Sequence, residues 1–319
     1  MIQQHYNIIG VMSGTSLDGV DLAHLQFHIT NQNWSFEILE CETIPYSESW
    51  VQQLKSAVNY NQNQLQELNQ NYTQLLGQII AAFIEKHQIK NIDAVCSHGH
   101  TILHQPQNGF TLQIGNLAEI AAYCKQTVVC DFRVQDVKLG GQGAPLVPIG
   151  DRILFAAYDY CLNLGGFSNV SFETNGKRLA FDISPVNTVL NFYANQLGFE
   201  YDDKGKKAQS GKLHLDLFDA LNALDFYQKP FPKSLGFEYV KEVVLPLIES
   251  HSITIEDKMH TFTEHVALQI ALALPLKKGK LLVSGGGAYN DFLIGRMQYH
   301  LPQMEIIIPN TKILEFKEA

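Results

Sequence analysis

The sequence has little of what secreted and nucleic-acid-binding proteins depend on. Its 319 residues contain five cysteines, an odd number with no C-x-x-C pair, which argues against a disulfide framework and favours reduced thiols. Positive charge is also scarce, because 23 Lys and Arg residues stand against 32 Asp and Glu residues. The formal net charge of −9 argues against a nucleic-acid partner, which needs clustered cations.

Long apolar runs and a secretory leader are missing as well. The longest apolar run, Ile270 to Leu276, is interrupted by Pro275 and is far shorter than a membrane span. The chain begins without a cationic segment that leads into an apolar core. We therefore expect a cytoplasmic protein with no membrane partner. At this length, with 45% hydrophobic residues, it should form about two domains with ordinary cores.

Hydrophobic periodicity predicts an α/β fold that opens with a three-stranded antiparallel meander. Tyr6 to Met12 is apolar, the segment after Asp18-Gly19 alternates up to Ile29, and Trp34 to Ile38 continues the period of two. Helical periodicity follows over 47–58 and 62–87, and strands are predicted over 92–96, 110–114 and 127–130.

The same order of elements returns in the second half of the chain. Tyr158 to Leu164 is apolar, Gly165-Gly166 forms a turn, and two extended segments are joined by the hairpin signal Asn175-Gly176. Two copies of one α/β unit predict a two-lobed fold with a central cleft, where such folds bind ligands. We place the lobes at residues 1–135 and 136–319, with the glycines at 140, 141 and 143 available to relieve strain as the cleft closes.

Three glycine-rich turns follow apolar strands and suggest a nucleotide site. In the first, residues 14–21, the glycines allow close approach of the backbone to a ligand, and Asp18 or Asp21 is suited to hold a hydrated Mg²⁺. The alternative is a simple hairpin in which Asp18-Gly19 supplies a positive φ. The other two turns are residues 165–169 and 284–290.

Common catalytic motifs are absent. The segment 205–212 has the wrong glycine spacing for a P-loop, no G-x-G-x-x-G is complete, and no G-x-S-x-G elbow occurs. His98, His100 and His104 are a possible metal set, but no further ligands are spaced to complete it, so we prefer polar groups that line a pocket.

Two acidic strand ends are candidates for chemistry. Asp182 ends an apolar strand, where partial burial would raise its pKa and make it a general base; the alternative is that it caps the next helix. Asp131 and Arg133 are predicted to end the corresponding strand of the first lobe. Arg133 can either bind an anionic substrate or pair with a nearby acid.

Seven motifs in this order and spacing resemble the anhydro-N-acetylmuramic acid kinase family, a member of the hexokinase, actin and heat-shock chaperone superfamily. The resemblance implies an actin-like two-lobed ATPase fold and extends over nearly the whole chain. The motifs are GVMSGTSLDGVD, SHGHT, LQIGN, DFR, GGQGAPLVP, LNLGGFSN and VSGGGAYN.

The resemblance implies an ATP-dependent enzyme of cell-wall recycling. Such an enzyme opens 1,6-anhydro-N-acetylmuramic acid with water and phosphorylates the freed 6-oxygen, with Mg²⁺ and, in the family, a homodimer. It implies Asp182 as the catalytic base, Asp18 and Asp21 as metal ligands, and Ser97, His98, Arg133 and Glu318 as sugar contacts. The nucleotide contacts that it implies are Gly14, Thr15, Ser16, Leu17, Asp18, Gly19, Val20, Asp21, Gly165, Gly166, Asn169, Gly285, Gly286 and Gly287.

Departures from the family pattern keep two other functions open. Residues 183–187 read ISPVN where many relatives read TGPGN, and the chain stops where the family begins a further helix, so we expect a truncated C-terminus. One alternative is a superfamily kinase for another amino sugar. The other is a nucleotide-gated binding module that transfers nothing.

Overall fold

The chain divides into two compact units. The computed structural model describes residues 4–14 and 17–319. The first unit comprises the chain up to Ile149 together with Phe316–Ala319, and the second comprises Gly150–Glu315. Among the described residues, no helix combines the length and apolarity needed to cross a bilayer.

The first unit is built on a mixed sheet around the strand that opens the chain. β1 pairs antiparallel with β2 and parallel with β4, and β2 pairs antiparallel with β3. β4 carries two further partners: β6 runs parallel beside its first half, and β5 runs antiparallel beside its second half. The strands are β1 (His5–Ser13), β2 (Gly19–Thr30), β3 (Asn33–Pro45), β4 (Ala94–Gln105), β5 (Phe110–Ile114) and β6 (Val128–Val129).

Helix α2 supplies much of the core that covers this sheet. It begins with a reciprocal capping box between Asn61 and Gln64 and buries a stripe that includes Tyr72, Leu76 and Ile80. The helices are α1 (Glu48–Ser56), α2 (Gln62–Lys86), α3 (Ile120–Cys124) and α4 (Phe132–Lys138), followed by α5 (Pro148–Leu154), in which the first unit gives way to the second.

The second unit repeats the strand order of the first. β7, β8 and β9 form an antiparallel meander, and β10 runs parallel between β7 and β11. In both units the third, second, first and fourth strands are therefore neighbours in that order, and a parallel strand (β6 or β11) lies beyond. The strands are β7 (Tyr160–Leu164), β8 (Phe167–Thr174), β9 (Lys177–Pro185), β10 (Lys278–Ser284) and β11 (Gln303–Ile307).

Helix α12 is the central helix of the second unit. Its N-terminus is capped by Thr254, and most of its residues are buried, which is the pattern of a helix enclosed on all sides. The helices are α6 (Asn187–Gln196), α7 (Lys206–Ser210), α8 (Leu215–Asn222), α9 (Asp225–Gln228), α10 (Phe237–Tyr239), α11 (Leu245–Glu249), α12 (Ile255–Ala273), α13 (Asp291–His300) and α14 (Thr311–Phe316).

The repeated strand order confirms the predicted α/β fold with a duplicated meander. The hairpin signal Asn175-Gly176 is also confirmed, because both residues have positive φ, as a type I′ turn requires. At Asp18-Gly19 the mechanism is different, since the residue with positive φ is Leu17. Gly19 is instead required for close packing, because a Cβ there would lie 2.4 Å from the Ile44 carbonyl oxygen.

Two local predictions are wrong. Arg133 does not end a strand, because the strand stops at Val129 and Arg133 lies in the first turn of α4. The predicted domain boundary at residues 135–136 falls inside that helix, whereas the units divide between Ile149 and Gly150. Hydrogen bonds that join Arg133 and Asp136 of α4 to Gly143 attach the following loop to this helix, so the chain does not divide there.

A buried carboxylate joins α12 to α13. Glu264 accepts hydrogen bonds from both Arg296 and His300, the latter at 2.7 Å between Nε2 and Oε1. Burial alone would raise the pKa of Glu264, but the hydrogen bonds from Arg296 and His300 outweigh it and leave the pKa lowered. The ion pair therefore stabilises the folded state at pH values above the ordinary glutamate pKa.

We expect Glu264→Gln to lower the free energy of unfolding by about 1–3 kcal/mol at neutral pH, because it leaves the guanidinium poorly paired. Urea unfolding followed by circular dichroism measures this difference. It should shrink as the pH falls through the lowered pKa of Glu264, where the wild-type carboxylate is protonated. Asp203→Asn is the control, since Asp203 pairs with Lys206 at the exposed surface, and its midpoint should match the wild type. Equal midpoints for Glu264→Gln and the control would contradict this assignment.

Candidate active site

The first glycine-rich turn joins β1 to β2 in the first unit. The Leu17 amide donates to the Gly14 carbonyl, and Val20 is buried as β2 enters the sheet. Thr15 and Ser16 lie outside the described residues. Asp18 is exposed, and Asp21 is half-buried and accepts a 2.6 Å hydrogen bond from the Thr43 hydroxyl.

A buried chain of hydrogen bonds lies directly behind this turn. Ser13, the last residue of β1, bonds to His100 Nδ1 at 2.8 Å and to the Tyr46 hydroxyl at 2.6 Å, and Tyr46 bonds in turn to Tyr72. Burial raises the pKa of Tyr46, and the negative charges of Asp18 and Asp21 add to the shift. The network fixes the strand end from which the turn begins.

Arg133 and His98 form a second polar cluster in the first unit. His98 Nδ1 lies 2.9 Å from the Gly99 carbonyl and therefore carries its proton, which leaves Nε2 to accept from Arg133 Nε at 2.6 Å. Burial lowers the pKa of His98 to about 4, and the positive charge of Arg133 contributes. The imidazole is thus neutral at physiological pH.

The loop after α4 completes the surroundings of Arg133. Arg133 Nη1 donates to the Gly143 carbonyl at 2.7 Å, and Asp136 accepts from the Gly143 amide at 2.7 Å. A Cβ at Gly141 would displace the Asp136 carboxylate that accepts from the Gly143 amide. Arg133 therefore has a neutral imidazole and a backbone carbonyl as hydrogen-bond acceptors.

The last residues of the chain return to the first unit, where Glu318 lies close to Arg133. Burial lowers the pKa of Arg133, and the negative charge of Glu318 opposes that shift. Phe316 is buried, and the Ala319 carbonyl lies so close to Gly10 that a Cβ there would be 2.3 Å away. The segment that carries Glu318 is therefore held against β1.

The three histidines of β4 do not converge. His98 bonds to Arg133, His100 to Ser13, and His104 to the Thr111 hydroxyl. No group of three or more His, Cys, Asp or Glu residues suited to a metal occurs in residues 4–14 and 17–319. Ser97 is fully buried, and its hydroxyl accepts from the Gly99 amide at 3.3 Å, so its side chain supports the backbone turn beside His98.

In the second unit a row of polar residues crosses four neighbouring strands. Strand register pairs Ser284 with Asn163, Asn163 with Asn169, and Asn169 with Asp182. Residues directly opposite one another share a face of the sheet. The row therefore brings together Asn169 and Asp182, which are both candidate site residues from the sequence. Asn163 was not predicted, and only the register identifies it, whereas Ser284 opens the third predicted turn.

The two glycine-rich turns of this unit directly follow β7 and β10, next to the row at Asn163 and Ser284. Gly165 and Gly166 join β7 to β8, and their carbonyls accept from the amides of Asn187 and Thr188 at the start of α6. A Cβ at Gly285 would lie 2.3 Å from Asn163 Oδ1, and one at Gly287 would lie 2.7 Å from the Leu164 Cβ. These two glycines are required for packing against β7.

Gly286 differs from its neighbours because it is exposed and a Cβ there would meet no atom within 4 Å. The turn after β10 therefore presents one open glycine between two that are packed against the sheet.

Asp182 is held by a segment that is distant in sequence. Its amide donates to the Lys233 carbonyl at 2.9 Å, and its Oδ2 accepts from the Leu235 amide at 2.9 Å. Burial raises the pKa of Asp182, although the Leu235 hydrogen bond partly opposes the shift. The alternative role as a helix cap is wrong, because α6 begins after Val186 without a side-chain cap.

We expect Arg133→Met to raise the pKa of His98, because the substitution removes a positive charge that disfavours the imidazolium. A pH titration of the histidine ¹⁵N signals measures the change, with His98 assigned by its absence from His98→Gln. Arg152→Met, which removes an exposed arginine paired with Glu173, is the matched control. An unchanged His98 titration in Arg133→Met would contradict the described geometry.

Comparison with known proteins gives a family match over almost the whole chain. The family described as anhydro-N-acetylmuramic acid kinase matches residues 6–317. The protein of that name from Pseudomonas fluorescens (strain Pf0-1) is 36% identical over 316 residues, covering 93% of this chain and 85% of the relative. The one from Pasteurella multocida (strain Pm70) is 35% identical over 320 residues, covering 95% and 84%.

Solved structures give more distant likenesses. Component A of the (R)-2-hydroxyglutaryl-CoA dehydratase of Acidaminococcus fermentans is 12% identical with a TM-score of 0.47, covering 99% of this chain and 95% of that chain. A ROK family glucokinase from Streptomyces griseus, in complex with glucose and AMPPNP, is also 12% identical with a TM-score of 0.41, covering 95% and 94%.

The identities above 30%, the coverage and the family match agree with one another. They do not favour a kinase for another amino sugar or a binding module without activity. The chain belongs to the anhydro-N-acetylmuramic acid kinase family.

Proposed function

We propose that this protein is an ATP-dependent kinase that hydrolytically opens 1,6-anhydro-N-acetylmuramic acid and phosphorylates its 6-oxygen, yielding N-acetylmuramic acid 6-phosphate and ADP. The observation that carries the proposal is Asp182, a half-buried carboxylate with a raised pKa, opposite Asn169 in a chain that belongs to this kinase family. A soluble cytoplasmic homodimer that acts in peptidoglycan recycling is part of the same proposal.

Asp182 is the proposed general base. Its carboxylate takes a proton from the water that attacks the anomeric carbon, and the bond from that carbon to the bridging 6-oxygen breaks. The 6-oxygen forms a bond to the γ-phosphorus, ADP leaves, and the proton on Asp182 passes to solvent. Because Leu235 donates to Oδ2, the oxygen left for the water is Oδ1. A raised pKa suits this role, since a base works best when its pKa approaches the working pH.

The nucleotide contacts are proposed for the glycine-rich turns. In the first unit these are residues 14–21, and in the second they are Gly165, Gly166, Asn169 and Gly285 to Gly287. Exposed amides in such turns suit phosphate oxygens, and the open Gly286 leaves room for a ligand beside the backbone.

Asp18 and Asp21 fit the donor chemistry of Mg²⁺. Both are carboxylates of the first glycine-rich turn, and hard oxygen ligands are what this cation prefers. When bound, Mg²⁺ would neutralise charge on the transferring phosphoryl group. The Thr43 hydroxyl orients the Asp21 carboxylate through a 2.6 Å hydrogen bond.

Arg133 is the proposed contact to the lactyl carboxylate of the sugar, with Ser97, His98 and Glu318 around it. Its hydrogen bonds to His98 and Gly143 use Nε and Nη1, and among the described residues no acceptor engages Nη2. A guanidinium held in this way keeps unused donors and no directly bonded carboxylate, although the negative charge of Glu318 lies nearby.

Asp182→Asn should lower turnover by roughly 10²–10⁴-fold and leave the affinity for ATP unchanged, because the proton acceptor alone is lost. Phosphate transfer to the anhydro sugar is measured with ATP and Mg²⁺, with the product identified by mass spectrometry. Asp219→Asn, on the exposed surface of α8, is the control and should retain wild-type turnover. Normal turnover in Asp182→Asn would remove this residue from the mechanism.

Arg133→Met should remove the preference for a sugar that carries the lactyl carboxylate. We expect kcat/KM for anhydro-N-acetylmuramic acid to fall by roughly 10–100-fold, as for the loss of a charge-assisted hydrogen bond. The value for anhydro-N-acetylglucosamine, which lacks the lactyl group, should change little. Equal losses with both sugars would show that Arg133 does not bind the carboxylate.

A further inference from the structure

The segment Phe226–Leu235, called the strap below, is attached to β9 at both of its ends. Near its start, the Tyr227 hydroxyl lies 3.1 Å from Ser184 Oγ. Near its end, the Lys233 carbonyl accepts from the Asp182 amide and the Leu235 amide donates to the Asp182 carboxylate. The strap therefore contacts β9 at Asp182 itself and two residues beyond it.

The middle of the strap packs on the residue before Asp182. The Phe231 ring is stacked on the Phe181 ring with centroids 4.6 Å apart and an angle of 7° between planes. Phe181 is buried, whereas Phe231 is 47% exposed, so Phe231 covers the core at this point and presents its other side to the surface. Stacked pairs contribute about 0.5–1.5 kcal/mol beyond the area that they bury.

Buried hydrogen bonds connect the start of the strap to the core. The Tyr227 hydroxyl lies 2.8 Å from His265 Nε2, and His265 Nδ1 lies 2.7 Å from Asn222 Oδ1. Gln269 donates to the same Asn222 oxygen. His265 is completely buried, and burial lowers its pKa to about 3, so it is neutral and accepts from Tyr227. This end of the strap has little freedom to move.

Lys233 closes the strap on itself. Its Nζ donates to the Phe226 carbonyl at 3.0 Å and lies 4.4 Å above the centre of the Phe226 ring. The ammonium group of Lys233 therefore contacts Phe226 within the strap and forms no hydrogen bond to the Asp182 carboxylate among the described residues.

We propose that the strap is the positioning element of the catalytic base, in which Phe231 and Tyr227 hold Asp182 with Oδ2 on the Leu235 amide and Oδ1 directed to the reacting water. This inference rests on the proposed function of Asp182. Phe231 and Tyr227 act only through Asp182, so they are positioning residues and not catalytic ones.

The strap also bonds directly to Asp182, which is half-buried. The pKa of Asp182 is raised by burial and lowered by the Leu235 amide. Its cross-strand neighbour Asn169 has no charge, and Lys233 is engaged by Phe226. Since burial raises this pKa, a strap that leaves β9 after loss of the Phe181–Phe231 stack should admit water to Asp182 and lower its pKa.

The test compares Phe231→Ala, the conservative Phe231→Leu, and the control Phe237→Ala. Phe237 is 57% exposed and lies just beyond the strap. For Phe231→Ala we expect kcat to fall roughly 10–100-fold, as for a displaced catalytic group, with the KM for ATP unchanged. The acidic limb of the plot of kcat against pH should move to lower pH in Phe231→Ala. Phe231→Leu should recover most of both effects, and Phe237→Ala should match the wild type.

A second measurement follows Asp182 without relying on activity. The pKa of Asp182 is determined by ¹³C NMR of protein labelled at the aspartate carboxyl carbons, with the signal assigned by its absence from Asp182→Asn. A lower pKa of Asp182 in Phe231→Ala supports the strap even if the wild type fails to phosphorylate the anhydro sugar, a failure that would count against the proposed function alone.

The strap proposal is overturned if folded Phe231→Ala keeps both the wild-type pKa of Asp182 and the wild-type acidic limb. If Phe231→Ala does not fold, Tyr227→Phe decides, since it removes the hydroxyl from Ser184 and His265 while retaining the ring. A lower kcat with unchanged KM for ATP in that variant supports the proposal, and unchanged kinetics reject it.

Discussion

The proposed chemistry depends on keeping one carboxylate partly out of water at the edge of a sheet. β9 is an edge strand, so without a neighbour its outward amides and side chains would be solvated. The segment around Lys233 and Leu235 supplies that neighbour, because it accepts from the Asp182 amide and donates to the Asp182 carboxylate. One short stretch of chain therefore protects the edge strand and bonds directly to the proposed base, Asp182.

The two units use the same strand scaffold with different side chains at equivalent positions. In the first unit, strand register places Asp21 of β2 beside Met12 on one side and Thr43 on the other. In the second unit, the corresponding strands place Asn169 between Asn163 and Asp182.

The carboxylate of the first meander, Asp21, thus lies on its middle strand. The carboxylate of the second meander, Asp182, lies on its edge strand. On its middle strand Asp21 has the Thr43 hydroxyl as a cross-strand neighbour, and a carboxylate fixed in this way suits a ligand for a cation. A carboxylate on an edge strand can be covered by a separate segment, which suits a base whose pKa must rise.

Local patterns in the sequence predicted the parts of the fold that depend on local physics. Alternation identified both meanders, and Asn175-Gly176 identified its hairpin, because these signals act over a few residues. Asn169 and Asp182 were each candidates from the sequence, but their pairing is visible only in the strand register. The contact between Leu235 and Asp182 joins residues 53 positions apart, and no local pattern signals it.

The wrong prediction that Arg133 ends a strand has the same origin as the missed contact between Leu235 and Asp182, since both depend on tertiary hydrogen bonds. The apolar residues that precede it end a strand, but Asp131 adopts positive φ and begins helix α4, a choice stabilised by tertiary bonds from Arg133 to His98 and Gly143. Propensity is a weak guide where such long-range hydrogen bonds decide the local conformation.

The partners of Arg133 explain why a half-buried guanidinium is retained in the first unit. A carboxylate directly bonded to it would have satisfied its donors and cancelled its charge together. A neutral imidazole and a backbone carbonyl satisfy Nε and Nη1 while leaving the charge in place. His98 can serve in this way only because burial and Arg133 itself keep the pKa of the imidazole near 4. The pair is therefore self-consistent, since the positive charge that would attract an anion also prevents its own partner from becoming a second cation.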